Sequence, residues 1–403
     1  MKILVLNCGS SSVKYKLFDM DSSKVLGQGS VEKIGLSGSY LKLQTSSGER
    51  VLIEEDFPEY TKSIQFIFKM LTESKYACIK SLKEIDAVGH RVVHGGETFS
   101  KSVRINDEVL RMVNECIDLA PLHNPPNLKG IEAVSKLMPD LPQVAVFDTA
   151  FHQTMPAKAY MYGLPYEYYK KYGIRRYGFH GTSHRYVSRR ACDILGVDYA
   201  SQRIISAHIG NGGSVTAIRD GKSVENSMGL TPLEGLLMGT RTGDIDGGAL
   251  TYLMEKENIG PRALNNILNK KSGILGVSGV SSDMRELTAA AKSGNKRAQL
   301  AFDMYNYMIK KYVGAYAAVL GGVDILIFTG GVGENQDETR QAICENMEYM
   351  GLLLDVEKNK LIRGKEAVIS APESKVKAMV VPTNEELMIA MDTVEILSQG
   401  RYQ

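Results

Sequence analysis

Leu6-Asn7-Cys8-Gly9-Ser10-Ser11-Ser12-Val13 recurs in form, half a chain later, as Ile209-Gly210-Asn211-Gly212-Gly213-Ser214-Val215. Each stretch follows an apolar run and precedes a run in which apolar and polar residues alternate. That pattern is typical of two strands joined by a glycine- and serine-rich turn. Because the two copies divide the 403 residues about equally, the repeat predicts a duplicated protein with two similar domains.

The remainder of the sequence alternates strand-like and helix-like segments, which predicts an α/β fold. Short apolar runs predict strands at 2–6, 13–18, 85–88, 144–147, 204–209, 215–218, 325–328 and 378–381. Apolar residues at helical spacing predict helices at 62–71, 108–119, 128–137, 184–195, 263–268, 296–320, 338–350 and 385–397. The stretch 155–177, rich in proline and tyrosine, is the best candidate for a domain boundary.

The composition excludes several classes of protein. With 43% hydrophobic and 23% charged residues the chain is not of the disordered type. The formal charge of +2 gives no bulk attraction to nucleic acid, and no apolar run has the length of a membrane span. The five cysteines are scattered, without the spacing of a zinc site or a disulfide framework, so we expect a cytoplasmic protein with free thiols.

Several familiar motifs are absent. The sequence has no P-loop string, and Gly210 to Val215 fails the dinucleotide-binding pattern. His90 and His94 have metalloprotease spacing, but Arg91 stands between them, and a cation there would oppose a metal. The serines at 10–12 lack the second glycine of a nucleophile elbow.

Three glycine-rich turns follow predicted strands, at 7–12, 210–213 and 330–335. Glycine allows backbone N–H groups to approach an anion closely. With Lys14 beside the first turn, the pattern favours a polyphosphate ligand. Arg91 and Arg241 lie among further glycines and offer the planar fork that suits carboxylate and phosphate oxygens, although either residue could instead form a surface salt bridge.

Other polar residues lie at the ends of predicted elements. Asp148 ends the strand at 144–147, where α/β sheets present active residues. His180 precedes a helix that we expect Thr182 or Ser183 to cap. At the C-terminal end, Thr383 and Glu386 have the spacing of a capping box. Glu385 is then left to hold a cation or simply to favour the positive end of the helix.

Seven motifs together resemble the acetokinase family. They are LNCGSSSVK at 6–14, GHRVVHGG at 89–96, YGFHGTSH at 177–184, HIGNGGS at 208–214, MGLTPLEGLLMGTRTGDID at 228–246, FTGGVGEN at 328–335 and PTNEE at 382–386. The resemblance extends from residue 3 to about 390. It implies two duplicated actin-like ATPase domains with ribonuclease H-like cores around a central cleft. They would be 1–150, joined by the C-terminal helix 385–403, and 151–384, which would hold the nucleotide.

The resemblance also implies an activity, a reversible magnesium-dependent transfer of phosphoryl from ATP to acetate that gives acetyl phosphate and ADP. Manganese would substitute for magnesium. The protein would be a homodimer that contributes to acetyl-CoA biosynthesis and binds neither nucleic acid nor a membrane. The implied metal residues are Asn7 and Glu385, and the implied catalytic residues are Arg91, Asp148, His180 and Arg241. The implied substrate pocket is Arg91, Val93, Leu122, Phe179 and Pro232. The implied nucleotide site is Lys14, His208, Ile209, Gly210, Asn211, Gly212, Asp283, Met284, Arg285, Gly331, Val332, Gly333, Glu334 and Asn335.

Two alternatives stay open. Propionate or butyrate kinases of the same family differ in their acid, and Val93 is the residue to examine. An actin-type regulatory or filament protein would bind nucleotide without turnover, but four implied catalytic residues argue against it. A carboxylate acceptor is already ionised at pH 7 and needs no general base, so we expect Asp148 to orient Arg91 or a magnesium-bound water rather than to transfer a proton. Gly247 and Gly248 stand where the family often has proline, which affects only the rigidity of that loop.

Overall fold

The computed structural model describes residues 1–45 and 48–399. The chain forms two compact units, Met1–Gln153 together with the C-terminal segment that begins at Asn384, and Thr154–Thr383. Each unit is built on one β-sheet with helices packed on it, so the predicted α/β class is confirmed. None of the described helices combines the length and the hydropathy that crossing a bilayer requires.

The first unit contains an eight-stranded sheet. Its strands are β1 (Lys2–Gly9), β2 (Ser12–Asp19), β3 (Lys24–Glu32), β4 (Tyr40–Thr45), β5 (Arg50–Glu54), β6 (Ala87–Val92), β7 (Val103–Arg104) and β8 (Gln143–Phe147), and its helices are α1 (Tyr60–Thr72), α2 (Asp107–Glu115), α3 (Asn124–Leu137) and α15 (Glu385–Gln399). The strand order is β5-β4-β3-β2-β1-β6-β8-β7.

The second unit contains a six-stranded sheet. Its strands are β9 (Ile204–Ile209), β10 (Gly213–Arg219), β11 (Lys222–Asn226), β12 (Ile325–Thr329), β13 (Ala367–Val368) and β14 (Lys377–Val380). Its helices are α4 (Ala157–Tyr160), α5 (Tyr166–Tyr172), α6 (Gly181–Leu195), α7 (Gly247–Glu257), α8 (Pro261–Asn266), α9 (Gly273–Ser278), α10 (Met284–Lys292), α11 (Lys296–Leu320), α12 (Gly330–Asn335), α13 (Asp337–Cys344) and α14 (Val356–Leu361). The strand order is β11-β10-β9-β12-β14-β13.

Short helical turns occur in both units. The 3-10 turns lie at 82–84, 116–119, 150–154, 199–201 and 348–350, and a π-helical turn at 267–271 extends α8.

The two sheets share a topology. In the first, β1 pairs antiparallel with β2, β2 antiparallel with β3, and β1 lies parallel to β6, which is parallel to β8. In the second, β9, β10, β11, β12 and β14 repeat this order and these directions. This is the ribonuclease H-like order of the actin-like ATPase fold, so the duplication read from the glycine-rich hairpins is confirmed.

Alternating residues of β1 face two different cores. Leu4 and Leu6 pack with α1 and α3, whereas Ile3 and Val5 pack with α15. Helix α15 approaches the sheet closely at Gly89 of β6, where a Cβ would lie 2.5 Å from Thr393 Oγ1. Glycine is therefore required there by the packing of the C-terminal helix.

The predicted elements are present, with shifted ends. The predicted strand 85–88 is in fact β6, so Arg91 lies within a strand rather than after one. The turn predicted at 7–12 shrinks to Ser10 and Ser11, because the backbones of Gly9 and Ser12 still pair. The turn predicted at 330–335 is a helix, in which the Glu334 carboxylate accepts a hydrogen bond from Gly330 N (3.0 Å). The last residues of the predicted helix 385–403 lie outside the described residues.

Candidate active site

Arg91 and Asp148 form a buried ion pair in the first unit. Because β6 and β8 are parallel neighbours, their carboxyl ends bring Arg91 beside the residue that follows Phe147. Arg91 donates from Nε to both oxygens of Asp148 (3.0 and 3.1 Å) and from Nη2 to Oδ2 (2.5 Å). The Asp148 side chain is 2% exposed and that of Arg91 25%. Burial by itself would lower the pKa of Arg91, but the carboxylate charge and hydrogen bonds of Asp148 raise it above the ordinary value, so the guanidinium stays charged and fixed.

Asn7 and Glu385 add oxygen atoms beside this pair. Asn7 Oδ1 accepts a hydrogen bond from Arg91 Nη1 (3.3 Å), and Lys14 lies opposite Asn7 in the β1–β2 hairpin. Burial raises the pKa of Glu385 to about 7; Arg91 lowers it, Asp148 and Glu386 raise it, and Lys14 lowers it. Glu385 therefore interacts electrostatically with the Arg91–Asp148 pair and with Lys14.

This donor set fits a magnesium ion. Carboxylate and amide oxygens are the protein ligands that hard divalent cations prefer. No group of three histidine, cysteine or acidic side chains in the described parts of the chain has the arrangement of a metal site. An ion held by one or two carboxylates would complete its shell with water and phosphate oxygens, which is the usual mode of Mg²⁺ and not of Zn²⁺.

The helix that carries Glu385 begins differently from the expected capping box. Asn384, not Thr383, caps α15, since its Oδ1 accepts from Leu387 N (3.2 Å). Thr383 Oγ1 instead hydrogen-bonds Ser183 Oγ (2.8 Å), and Glu386 pairs with Lys16 (3.4 Å). The capping prediction for Thr383 and Glu386 is therefore wrong, because Asn384, one residue later, is an equally good cap whose side chain has no competing partner among the described residues.

A cavity of about 640 Å³ extends from Asn7 over the outer strands of the first unit. Lys14, Lys16, Lys42 and Arg50 contribute to its lining. The cavity therefore has a cationic wall, and Lys14 is exposed at its edge.

In the second unit, His180 and Arg241 meet at the glycine loop 210–212. A Cβ added to Gly212 would lie 3.4 Å from Arg241 Nη1 and 3.9 Å from His180 Nε2. His180 has a left-handed backbone (φ 57°) and is the residue that precedes α6. The predicted caps Thr182 and Ser183 are wrong, because the helix already begins at Gly181 and both side chains are buried inside its first turn.

Arg241 rests on the loop that precedes it. Its Nη1 donates to the Pro232 carbonyl (3.0 Å), and within the described residues it has no carboxylate partner. Burial lowers the pKa of Arg241. The loop is itself anchored, since Glu234 accepts from Arg176 Nη2 (2.5 Å) and from the Tyr162 hydroxyl. A partly buried cation that has no counter-ion among the described residues is available to bind an anionic ligand.

A second cavity, of about 800 Å³, lies wholly in the second unit. It collects many of the residues predicted for the nucleotide, namely Gly210, Asn211, Asp283, Met284, Arg285, Gly331, Val332 and Asn335. Asp283 caps α10 and pairs with Arg285 (2.6 Å), whose hydrogen bonds lower the pKa of Asp283 to about 2.

Six predicted nucleotide residues do not line this cavity: Lys14, which lines the cavity of the first unit, and His208, Ile209, Gly212, Gly333 and Glu334. The Glu334 carboxylate is occupied by the backbone N–H groups of Gly330 and Thr383 (3.0 and 3.1 Å). The backbone of Gly333 is fixed by Arg340, which donates a hydrogen bond to its carbonyl oxygen (2.9 Å). These two residues shape α12 rather than face the cavity.

The residues expected to surround the acid lie two in each unit. Val93 is buried in the first unit, where its N–H donates to Asn127 Oδ1 (3.0 Å), but Leu122 of the same unit is 67% exposed. Phe179 is buried in the second unit and Pro232 is partly buried there.

Sequence reasoning missed residues that support the site. Ser282, Thr288, Lys292, Gln336 and Arg363 line the larger cavity, and helix α10, which carries two of them, was not predicted. Arg340 is fully buried and makes four hydrogen bonds without a carboxylate; burial lowers its pKa to about 10. The acidic residues around Arg340, in the segment 334–345, are the sequence feature that could have indicated a structural role for this arginine.

Comparisons with known proteins agree with this geometry. The sequence model of the acetokinase family matches residues 2–391. The acetate kinase of Parabacteroides distasonis is 66% identical over 99% of this chain and all of its own. The crystal structure of Porphyromonas gingivalis acetate kinase superposes with a TM-score of 0.96 at 62% identity, covering 98% of this chain and 99% of that one. A propionate kinase from Francisella tularensis superposes with a TM-score of 0.91 at 43% identity, with the same coverage.

The duplicated fold, the two arginines and the glycine-lined cavity define an enzyme that transfers phosphoryl groups. The chain belongs to the acetokinase family, whose members are kinases that use ATP.

Proposed function

We propose that the protein transfers the γ-phosphoryl group of ATP to acetate, giving acetyl phosphate and ADP, and catalyses the reverse reaction as well. The observation that carries the proposal is the fixed Arg91, which donates three hydrogen bonds to Asp148 beside the oxygens of Asn7 and Glu385. The relatives named acetate kinase, at 59–66% identity over nearly the whole chain, support it.

The acceptor needs orientation rather than activation. An acid carboxylate is ionised at neutral pH, so one of its oxygens attacks the γ-phosphorus directly while the bond to the β–γ bridging oxygen breaks and ADP leaves. Arg91 offers the fork that holds such a carboxylate. Asp148 already accepts three hydrogen bonds from Arg91, so its role is to position Arg91 and not to move a proton.

The second unit supplies donors for the charge that spreads over the transferred group. Arg241 is partly buried and has no carboxylate partner among the described residues, and His180 Nε2 lies beside the same loop at Gly212. In phosphoryl transfer, positioning and cationic stabilisation supply most of the catalysis. The 800 Å³ cavity has the size of a nucleotide site, and Lys14 of the first unit is assigned to the phosphates by its place in the hairpin.

Magnesium is the metal that this donor set fits, with manganese as a substitute. Asn7 and Glu385 would hold it, and it would neutralise charge on the phosphate oxygens. Glu385 must be deprotonated to serve as a ligand, and Arg91 and Lys14 both favour its charged form.

The family resemblance implies Val93 and Leu122 of the first unit, and Phe179 and Pro232 of the second, as the residues that select the acid. A β-branched valine cannot rotate away from a longer acid, which favours acetate. Propionate is the second candidate, because the Francisella tularensis structure is a propionate kinase with the same fold at 43% identity; butyrate follows by the same argument.

We further propose that the two units are the duplicated domains, that the protein works as a homodimer, and that it acts in the cytoplasm. The five cysteines are all free thiols, which supports a reducing compartment.

Hydroxamate trapping of acyl phosphate across formate, acetate, propionate and butyrate tests the proposal. We expect the highest kcat/KM for acetate, and a loss of about a hundredfold or more in turnover for Arg91→Ala and Arg241→Ala. ATP binding without acyl phosphate formation from any acid would refute it in favour of a regulatory nucleotide-binding protein.

A further inference from the structure

Three histidine and serine side chains extend from His180 into the core of the second unit. His180 Nδ1 lies 2.9 Å from Ser214 Oγ, which lies 2.7 Å from His184 Nε2. His184 Nδ1 lies 2.9 Å from Ser206 Oγ. Ser214, His184 and Ser206 are fully buried, so water does not satisfy these groups.

These side chains form a hydrogen-bonded chain from His180 to Ser206, and its buried end at Ser206 fixes the direction of every hydrogen bond in it. In the described structure, the Ser206 hydroxyl has the His184 ring nitrogen as its one partner. A hydroxyl hydrogen buried without an acceptor is costly, so Ser206 donates to His184 Nδ1. His184 must then be neutral, with its hydrogen on Nε2, and that N–H donates to Ser214 Oγ.

Ser214 has one hydrogen, and only His180 remains to receive it. Its hydroxyl contacts the two histidine rings alone among the described side chains. Having accepted from His184, it donates to His180 Nδ1. A neutral His180 with an acceptor at Nδ1 carries its own hydrogen on Nε2.

We propose that Ser206, His184 and Ser214 are positioning residues that hold neutral His180 in the Nε2–H tautomer. The consequence follows from where Nε2 lies, close to Gly212 and on the same side as Arg241 Nη1. The tautomer directs an N–H toward the glycine loop and would keep a lone pair from facing an anion bound there. The kinetic part of this inference rests on the proposed phosphoryl transfer; the tautomer itself does not.

A second hydrogen-bonded chain, from His208 to Thr383, shows that a fixed hydrogen-bond direction is not a general property of these histidines. His208 stacks on His180 with ring centroids 4.2 Å apart, and its Nδ1 bonds Ser183 Oγ, which bonds Thr383 Oγ1. Thr383 is partly exposed, so water can accept its hydrogen, and this second chain imposes no direction on His208.

Nitrogen-15 NMR of histidine-labelled protein reads the tautomer directly, because a protonated and an unprotonated ring nitrogen resonate far apart. The spectrum is recorded about two pH units above the ordinary imidazole pKa of about 6.5, where the rings are neutral. We expect protonated Nε2 and unprotonated Nδ1 for both His180 and His184. Hydrogen on Nδ1 of His180 would overturn the proposal.

Ser214→Ala removes the hydroxyl that links His184 to His180. We therefore expect the His180 ring of this variant to be a mixture of the two neutral tautomers. Ser188→Ala is the matched control, since Ser188 is equally buried and lies on α6, and its hydrogen-bond partners among the described residues are Arg185 O and Tyr199. It should leave the His180 resonances unchanged. An unmixed Nε2–H tautomer in folded Ser214→Ala would show that something other than this chain sets it, and would overturn the proposal.

Turnover gives a second readout. We expect Ser214→Ala to lower kcat by about two- to tenfold, the worth of one neutral hydrogen bond, with little change in the KM for ATP. Ser214→Thr keeps the hydroxyl and should restore both the tautomer and most of kcat. A protein that shows the expected tautomers but no acyl phosphate formation would contradict the proposed function and leave the positioning chain intact.

Discussion

Replacement of Asp148 separates an orienting carboxylate from a proton-transferring one. Asp148→Asn keeps a carbonyl oxygen for Arg91 but cannot exchange a proton, whereas Asp148→Ala removes both functions. Because Arg91 donates three hydrogen bonds to Asp148, we expect the asparagine variant to retain part of the activity that the alanine variant loses.

The magnitude follows from the burial of the pair. Removing one partner of a buried ion pair costs about 3–5 kcal/mol. The Arg91 side chain is 25% exposed, so water offsets a part, and we expect about 2–4 kcal/mol. If all of this loss appears as misplacement of Arg91 in the transition state, Asp148→Ala lowers turnover by about 30- to 1,000-fold. Asp148→Asn, which keeps one or two hydrogen bonds, should lose about 5- to 30-fold.

The assay is acetyl phosphate formation, with kcat and the KM for acetate measured separately. In an Arg91→Ala background, Asp148→Ala should cost little more, because Asp148 acts through Arg91. Asp324→Ala is a matched control, since Asp324 accepts from Arg203 Nε and Nη2 (3.0 and 2.7 Å) in a similar fork. It should leave kcat unchanged. Equal inactivity of the asparagine and alanine variants, additive to loss of Arg91, would refute the orienting role.

Three further predictions concern the metal, the acid pocket and the pH dependence of stability. Glu385→Ala should raise the Mg²⁺ concentration needed for half-maximal rate, whereas Glu386→Ala loses a partly exposed pair with Lys16 and less than about 1 kcal/mol of unfolding free energy. A magnesium titration that ranks the two variants the other way would reverse the assignment. Val93→Ala should raise kcat/KM for propionate relative to acetate by about 10- to 200-fold; an unchanged ratio with a lower melting temperature would make Val93 a core residue only. Burial lowers the pKa of His90 to about 4, below its unfolded value of about 6.5, so its contribution to stability is complete above that unfolded pKa and is lost as the pH falls toward 4. Between pH 7.5 and 5 this amounts to about 2 kcal/mol, which urea unfolding should detect in the native protein and not in His90→Asn.

The sequence is most informative where local signals agree. The spacing predicts α11 at 296–320, and the structure begins and ends it there, because Asn295 caps its start and Gly321 takes the left-handed conformation at its end. The hairpins around Asn7 and Asn211 were also predictable, since glycine and serine between alternating runs have few other interpretations.

Contacts between distant residues were beyond the sequence. Thr383 and Asn384 are both good caps, and only the hydrogen bond of Thr383 to Ser183, 200 residues away, decides between them. The outer strands β3 to β5 were missed, β3 because two glycines interrupt its alternation. The chain behind His180 depends on residues from α6, β9 and β10 that meet only in the folded unit.

The return of α15 to the first unit has a consequence for how the protein is made. Its buried residues Ile389 and Ala390 complete a core with Ile3 and Val5, and Glu385 stands at its start. The ribosome must therefore synthesise the whole of Thr154–Thr383 before the first unit can complete its core with α15. The two residues that we propose as metal ligands, Asn7 and Glu385, lie before and after that unit in the sequence, so the nascent chain cannot bring them together until α15 has been made.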